Sequence, residues 1–122
     1  MTGIGIDVVG IHRFARSLRR RDEFAREVFS AGERRTCASL SRPEAHLAAR
    51  FAAKEAFLKA LGRGLFSGVR LPEIEVVGGT RTPFRLRLGP EALRALRAAG
   101  ARSALVSLTI LERIALALVV VQ

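Results

Sequence analysis

Residues 43–62 read PEAHLAARFAAKEAFLKALG, and the fold turns on them. Pro43 suits a first helical turn, where its missing N–H costs nothing. Alanine is abundant, and Gly62 stands where a glycine closes a helix. The stretch predicts one long helix from about Arg42 to Leu61. Leu47, Phe51, Leu58 and Leu61 trace an apolar stripe along it, and the positions that should continue the stripe carry Lys54 and Glu55. Charges on or beside a buried stripe are costly unless they are paired or meet a ligand. Lys59 lies four residues after Glu55 and shares its face. The plain alternative is therefore a surface Glu–Lys helix pair, adding only about 0.2–0.5 kcal/mol.

Upstream, GIGIDVV (3–9) reads as a short buried strand with Asp7 among Ile4, Ile6, Val8 and Val9. An aspartate there either caps the following turn or serves a site. Residues 11–28 place Ile11, Phe14, Leu18, Phe24 and Val28 at broadly helical spacing, with Arg19-Arg20-Arg21-Asp22 as a loop between two short helices. Ser30 and Glu33 stand at capping-box spacing before another short helix, over 30–36. Downstream, the glycines of 62–68 predict a loop. PEIEVV (72–77) and FRLRL (84–88) make a hairpin, and residues 90–100 a helix opened by Pro90 and ended by Gly100. ALVSLTIL and IALALVVVQ, joined around Glu112-Arg113, make a second and very apolar hairpin. This order predicts one α+β domain over residues 1–122, with a mainly antiparallel sheet and helices packed on one face.

The formal net charge is +10, and nineteen of the 21 basic residues are arginine, which favours polyanionic partners. A small nucleic-acid-binding module is one such reading, invited by the arginines at 13, 16, 19, 20, 21 and 26. It is disfavoured by the lack of Tyr and Trp stacking platforms and of any helix-turn-helix or zinc signature, and we expect no nucleic-acid partner. Cys37 is the only cysteine, which rules out an internal disulfide and suits a reducing compartment. It reads as a small buried hydrophobe. The longest apolar run, Ile114 to Val121, is 8 residues, against roughly 20 for a spanning helix. With no signal-peptide pattern at the N-terminus, the expectation is a soluble, cytoplasmic protein without a membrane partner. His12 and His46 read as surface or capping residues.

Asp7 and Glu55 are more telling together than apart. Two carboxylates near each other repel unless a proton or cation neutralises them. Magnesium is the natural candidate, because it takes oxygen ligands and commonly uses one or two carboxylates plus substrate phosphates.

GIGIDVVGIHRF (3–14) and RFAAKEAFLKALG (50–62) resemble the two signatures of the holo-acyl-carrier-protein synthases, in the 4′-phosphopantetheinyl transferase superfamily. The spacing between them and the LPEIEVV strand also fit, so that the similarity runs from about residue 3 to residue 108. The resemblance implies the 4′-phosphopantetheinyl transferase fold and a transfer of 4′-phosphopantetheine from coenzyme A, the cosubstrate, to a serine of an acyl carrier protein, with release of adenosine 3′,5′-bisphosphate. It implies Asp7 and Glu55 as Mg²⁺ ligands, with Lys59 beside the phosphates as the third catalytic residue. Arg50 and Lys54, with Lys59, fall at cofactor-binding positions. Arg13, Arg20 and Arg26 fall on the surface that receives the acidic carrier protein. It further implies a homotrimer with active sites between subunits, the C-terminal hairpin being a candidate inter-subunit surface.

One strand departs from that pattern. The family usually reads like Val-Ser-Leu-Ser-His-Asp where residues 106–111 read Val-Ser-Leu-Thr-Ile-Leu, and Ile114 stands at a usual tyrosine position. Ile110 and Leu111 thus replace a histidine and a polar residue expected beside the coenzyme A phosphates. This leaves a repurposed or catalytically weakened member of the fold as the alternative.

Overall fold

The computed structural model describes residues 3–63 and 68–122; part of the expected glycine loop, 64–67, lies outside them. The chain runs β1 (Gly3–Gly10), α1 (Ile11–Arg20), α2 (Phe24–Val28), α3 (Ala31–Ala38), α4 (Pro43–Ala60), one 3₁₀ turn (Leu71–Glu73), β2 (Ile74–Val77), β3 (Arg85–Leu88), α5 (Pro90–Ala98), β4 (Ala104–Ile110) and β5 (Ile114–Val121). Strands β1, β5 and β4 form one antiparallel sheet in that order, and β2 and β3 a separate antiparallel pair. This is the expected α+β architecture. It differs in detail at three places: LPE folds as the 3₁₀ turn before β2, the break between α1 and α2 falls after Arg20 rather than across Arg19 and Arg20, and β1, expected to be buried, is covered on one face only, with Ile4, Ile6 and Val8 exposed.

Helix α4 is the axis of the molecule. Its alanines 45, 48, 49, 52, 53, 56 and 60 are buried, and side chains this small let the sheet come close. On the facing strand a Cβ at Gly5 would collide with the carbonyl oxygen of Ala56, and one at Gly3 with that of Ala60. β1 therefore lies backbone-to-backbone on the last turns of α4. Alternation along β1 points Gly3, Gly5 and Asp7 to α4 and leaves Ile4, Ile6 and Val8 on the opposite face. In register, Asp7 stands opposite Ala117 of β5.

Two apolar clusters flank α4. One joins it to β2, α5 and β5 through Phe57, Leu58, Ile74, Leu96 and Val119. The other gathers Phe14, Val28 and Phe29 with Ala48, Ala49 and Ala115, and Ile110 packs against it. The capping box forms as its spacing predicts: Ser30 Oγ accepts from the Glu33 N–H at 3.1 Å, and Glu33 Oε1 accepts from the Ser30 N–H at 3.0 Å. Gly62 ends the α4 segment at φ +74°, a left-handed conformation that favours glycine. The sheet face away from α4 is open and apolar, with Ile4 66% and Leu105 60% exposed beside Ile6, Val8 and Leu118.

Candidate active site

The close approach of β1 to α4 brings Asp7, Glu55 and Lys59 together. Asp7 is nearly buried, its side chain 11% exposed, and Lys59 Nζ donates to its Oδ1 at 2.8 Å and to the Ile6 carbonyl at 3.3 Å. Lys59 thus pairs with Asp7 across 52 residues rather than with its helix neighbour Glu55. The Glu55 carboxyl is pushed up to about 7, first by burial, then by the Asp7 charge and a side-chain hydrogen bond to Asp7, with Lys59 opposing. The Lys59 ammonium is raised, chiefly by its bond to Asp7, with burial opposing.

Two carboxylates with one ammonium leave excess negative charge and free oxygen lone pairs in a half-open site. That is a donor set a hard divalent cation accepts. No cluster of three or more acidic, histidine or cysteine side chains forms a metal site among the described residues. A cation held here would therefore take two protein carboxylates and complete its shell with water or ligand oxygens, the habit of Mg²⁺.

Arg50 and Lys54 sit elsewhere on α4, and differently from each other. Lys54 is wholly buried, and all three of its protons are used: it donates to Glu33 Oε1 at 2.8 Å, the Leu71 carbonyl at 3.0 Å and the Ile74 carbonyl at 2.6 Å. Desolvation lowers its pKa and Glu33 opposes that. The resemblance puts Lys54 at a cofactor-binding position; the structure places it in the core, with all three protons engaged within the chain. Arg50 is also buried, but its Nε lacks a partner, its Nη1 reaches only the His46 carbonyl at 3.4 Å, and its guanidinium lies 5.8 Å from the Phe84 ring centroid. It borders two cavities. One, of about 180 Å³, is walled by Gly32, Thr36, Glu75, Val76 and Arg87. The other, of about 290 Å³, is walled by Leu40, His46, Gly79, Thr80 and Phe84.

His46 is the residue the sequence reading missed. It is half-buried on that second cavity, and burial, then the charges of Arg50 and Arg42, lower its pKa. Its position four residues before Arg50 was the available signal. Cys37 is buried and its thiol is pushed up to about 11 by desolvation, as a small core hydrophobe should be. His12, Arg13, Arg20 and Arg26 are exposed. Arg19 and Arg21 are tied to Glu44 and Glu27, whereas Arg13, Arg16, Arg20 and Arg26 form no ion pair among the described residues. Ile110 turns inward to the cluster around Phe14, while Leu111 is exposed and its carbonyl accepts from Arg42 at 3.1 Å.

The model of the 4′-phosphopantetheinyl transferase superfamily matches residues 3–118. The holo-acyl-carrier-protein synthase of Syntrophus aciditrophicus is 43% identical over 108 residues, 88% of this chain and 84% of that protein. Among solved structures, the holo-acyl-carrier-protein synthase of Neisseria meningitidis superposes with a TM-score of 0.88 at 30% identity, covering 98% of this chain and 97% of that one. The ACPS–CoA complex of Chronobacterium ammoniagenes superposes at 0.87 and 31%, covering 100% and 97%. The chain belongs to the 4′-phosphopantetheinyl transferase superfamily and, within it, to the holo-acyl-carrier-protein synthase enzymes.

Proposed function

We propose that this enzyme transfers 4′-phosphopantetheine from coenzyme A to a serine hydroxyl of an apo acyl carrier protein, releasing adenosine 3′,5′-bisphosphate. The observation that carries the reading is the junction of Asp7, Glu55 and Lys59 where β1 crosses α4. In the transfer, a bond forms between the serine oxygen and the phosphorus bearing pantetheine, the pyrophosphate P–O bond to the adenosine half breaks, and the hydroxyl proton is released to solvent. Asp7 and Glu55 would hold Mg²⁺, which when bound supplies charge neutralisation on the phosphates. Lys59, with a half-exposed ammonium, would stabilise negative charge developing on the leaving phosphate. Arg50, buried and short of a partner at Nε, is the cation on the cavity wall that suits the anionic cofactor, with Phe84 offering an apolar surface beside it.

Exposed Arg13, Arg20 and Arg26 on α1 and α2 would receive the acidic carrier. Charge complementarity of that kind mainly raises the association rate. The homotrimer is proposed from the family resemblance, and the open apolar sheet face is the surface it would bury, since a patch of this kind marks a protein interface. Ile110 packs inward within its own chain, so its side chain leaves the acidic junction intact. No helix among the described residues is long and apolar enough to cross a membrane, in keeping with the proposal that the enzyme works in the cytoplasm.

The test is the intact mass of an apo carrier protein incubated with the enzyme, coenzyme A and Mg²⁺. A gain of one phosphopantetheine, lost in Asp7→Ala and Glu55→Ala, is expected. An unchanged mass with every apo carrier tried, under conditions where the carrier still binds the enzyme, overturns transfer as the function.

A further inference from the structure

Both walls of the smaller cavity at Arg50 are fastened to α4 through a single buried ion pair. Glu33 and Lys54 meet at 2.8 Å with both side chains fully buried. Glu33 Oε1 also accepts from the Ser30 N–H at 3.0 Å, which fixes the start of α3, and its Oε2 accepts from the Val76 N–H at 2.9 Å, which fixes β2. Lys54 donates to the carbonyls of Leu71 and Ile74, fixing the 3₁₀ turn and the entry to β2. Every polar atom of the pair is thus spent on backbone or on its mate. The elements it ties down carry the cavity walls: Gly32 and Thr36 on α3, and Glu75, Val76, Val77 and Gly78 on or just after β2. Arg50 stands between them, one helical turn before Lys54 on the same face of α4.

A second strut supports the same gap. Ser30 Oγ donates to Glu75 Oε2 at 2.6 Å, and Arg87 Nε donates to Glu75 Oε1 at 2.8 Å, joining α3 to β2 and β2 to β3. A buried ion pair is weak evidence for stability in itself, because desolvation offsets its Coulombic gain; in some proteins such pairs are retained for the geometry they specify. Here the geometry specified is the spacing of two walls around a buried guanidinium with an unpartnered Nε.

We infer that Glu33 and Lys54 are positioning residues that set the width of the Arg50 cleft, and so set affinity for the anionic cofactor without touching it. This rests on the proposed use of coenzyme A. Loosening the tie lets α3 and β2 separate, so Arg50 and the wall atoms no longer converge on one ligand. A tenfold loss of affinity is about 1.4 kcal/mol, no more than the loss of one hydrogen bond to a charged group. Lys59 and the acidic junction lie on another face of α4 and keep their own supports.

The experiment compares the wild-type enzyme, Glu33→Gln, the double substitution Glu33→Leu with Lys54→Met, and Leu96→Ala, a core truncation on α5 at a residue that lines neither cavity at Arg50. The double substitution removes both buried charges together but takes away the partners of the Ser30 and Val76 N–H groups and of the Leu71 and Ile74 carbonyls, so Glu33→Gln, which keeps an accepting oxygen, is the variant read should the double one fail to fold. Coenzyme A binding is measured by calorimetry, steady-state kinetics with coenzyme A and apo carrier varied in turn, and thermal unfolding in parallel. Weaker coenzyme A binding and a KM for coenzyme A raised by about tenfold or more in the ion-pair variants are expected, with kcat at saturation and the carrier KM within about twofold of wild type. Leu96→Ala should lose thermal stability and keep its coenzyme A affinity. Wild-type affinity in the ion-pair variants overturns the inference, as does a loss of affinity in Leu96→Ala that tracks its loss of stability. Failure of the wild-type enzyme itself to bind coenzyme A refutes the proposed function instead, and is read first.

Discussion

Replacing Glu55 by glutamine should stabilise the metal-free protein above neutral pH while abolishing transfer. In the folded chain the Glu55 carboxyl is raised from 4.5 to about 7 by burial and by the Asp7 charge. A raised carboxyl binds its proton more tightly when folded than when unfolded. Stability from this group is therefore full below about pH 4.5 and is lost as pH rises through about 7. A displacement of that size corresponds to about 3 kcal/mol at full burial. Glu55 is only half-buried, and solvent screening reduces the figure to about 1–2 kcal/mol. Glutamine has no charge to lose, and its amide can donate to Asp7 as the protonated acid does. Urea unfolding in chelator should then show the two proteins equal near pH 4.5, with the Gln variant about 1–2 kcal/mol more stable at pH 8. Adding Mg²⁺ at pH 8 should raise wild-type stability, by about 1 kcal/mol at five times its Kd, and leave the variant unmoved. A variant less stable than wild type at pH 8, or a difference that does not change with pH, would refute the account of two carboxylates competing for one neutralising charge.

Gly5→Ala should destabilise by about 3 kcal/mol or prevent folding, because the new methyl meets the Ala56 backbone, which cannot yield as a side chain could; chemical denaturation reads this directly. On the open sheet face, Leu105→Glu with Ile4→Lys should turn the proposed trimer into monomers by sedimentation while leaving the fold intact, since neither side chain contributes to the core. Arg20→Glu should raise the KM for the carrier severalfold and steepen with falling salt, leaving the coenzyme A KM unchanged; an equal change in both constants would place Arg20 outside a carrier-binding surface.

Much of this was legible in the chain. The helix of 43–60, both hairpins and the Ser30–Glu33 capping box follow from local rules: proline at the first turn, alternation, and a side chain reaching three residues ahead. Asp7 and Glu55 were visible as charges interrupting apolar patterns. Adjacent residues on a helix point about 100° apart, and which of Lys54 and Glu55 faces inward depends on what the fold brings to each side. Glu33 arrives 21 residues upstream to bury Lys54, and Asp7, 48 residues away, meets Glu55 instead. The same limit applies to Lys59, whose helical partner by spacing was Glu55 and whose partner in space is Asp7. Pairing of β1 with β5 joins the two ends of the described chain, and no local pattern encodes it. The cleft at Arg50 is likewise assembled from α3, α4 and the segment after β2, so His46 had no signal beyond its spacing from Arg50.

In the proposed reaction the acidic junction of β1 and α4 serves the movement of phosphopantetheine from coenzyme A onto a carrier. Its most direct test uses coenzyme A isotopically labelled in the pantetheine half, incubated with the enzyme, Mg²⁺ and an apo carrier protein, followed by peptide mass spectrometry of the carrier. The label should sit on one serine, with unlabelled adenosine 3′,5′-bisphosphate released in equal amount, and Glu55→Gln should leave both halves of coenzyme A joined. Coenzyme A recovered intact beside an unmodified carrier, or label transferred undiminished by the Glu55→Gln enzyme, would contradict it.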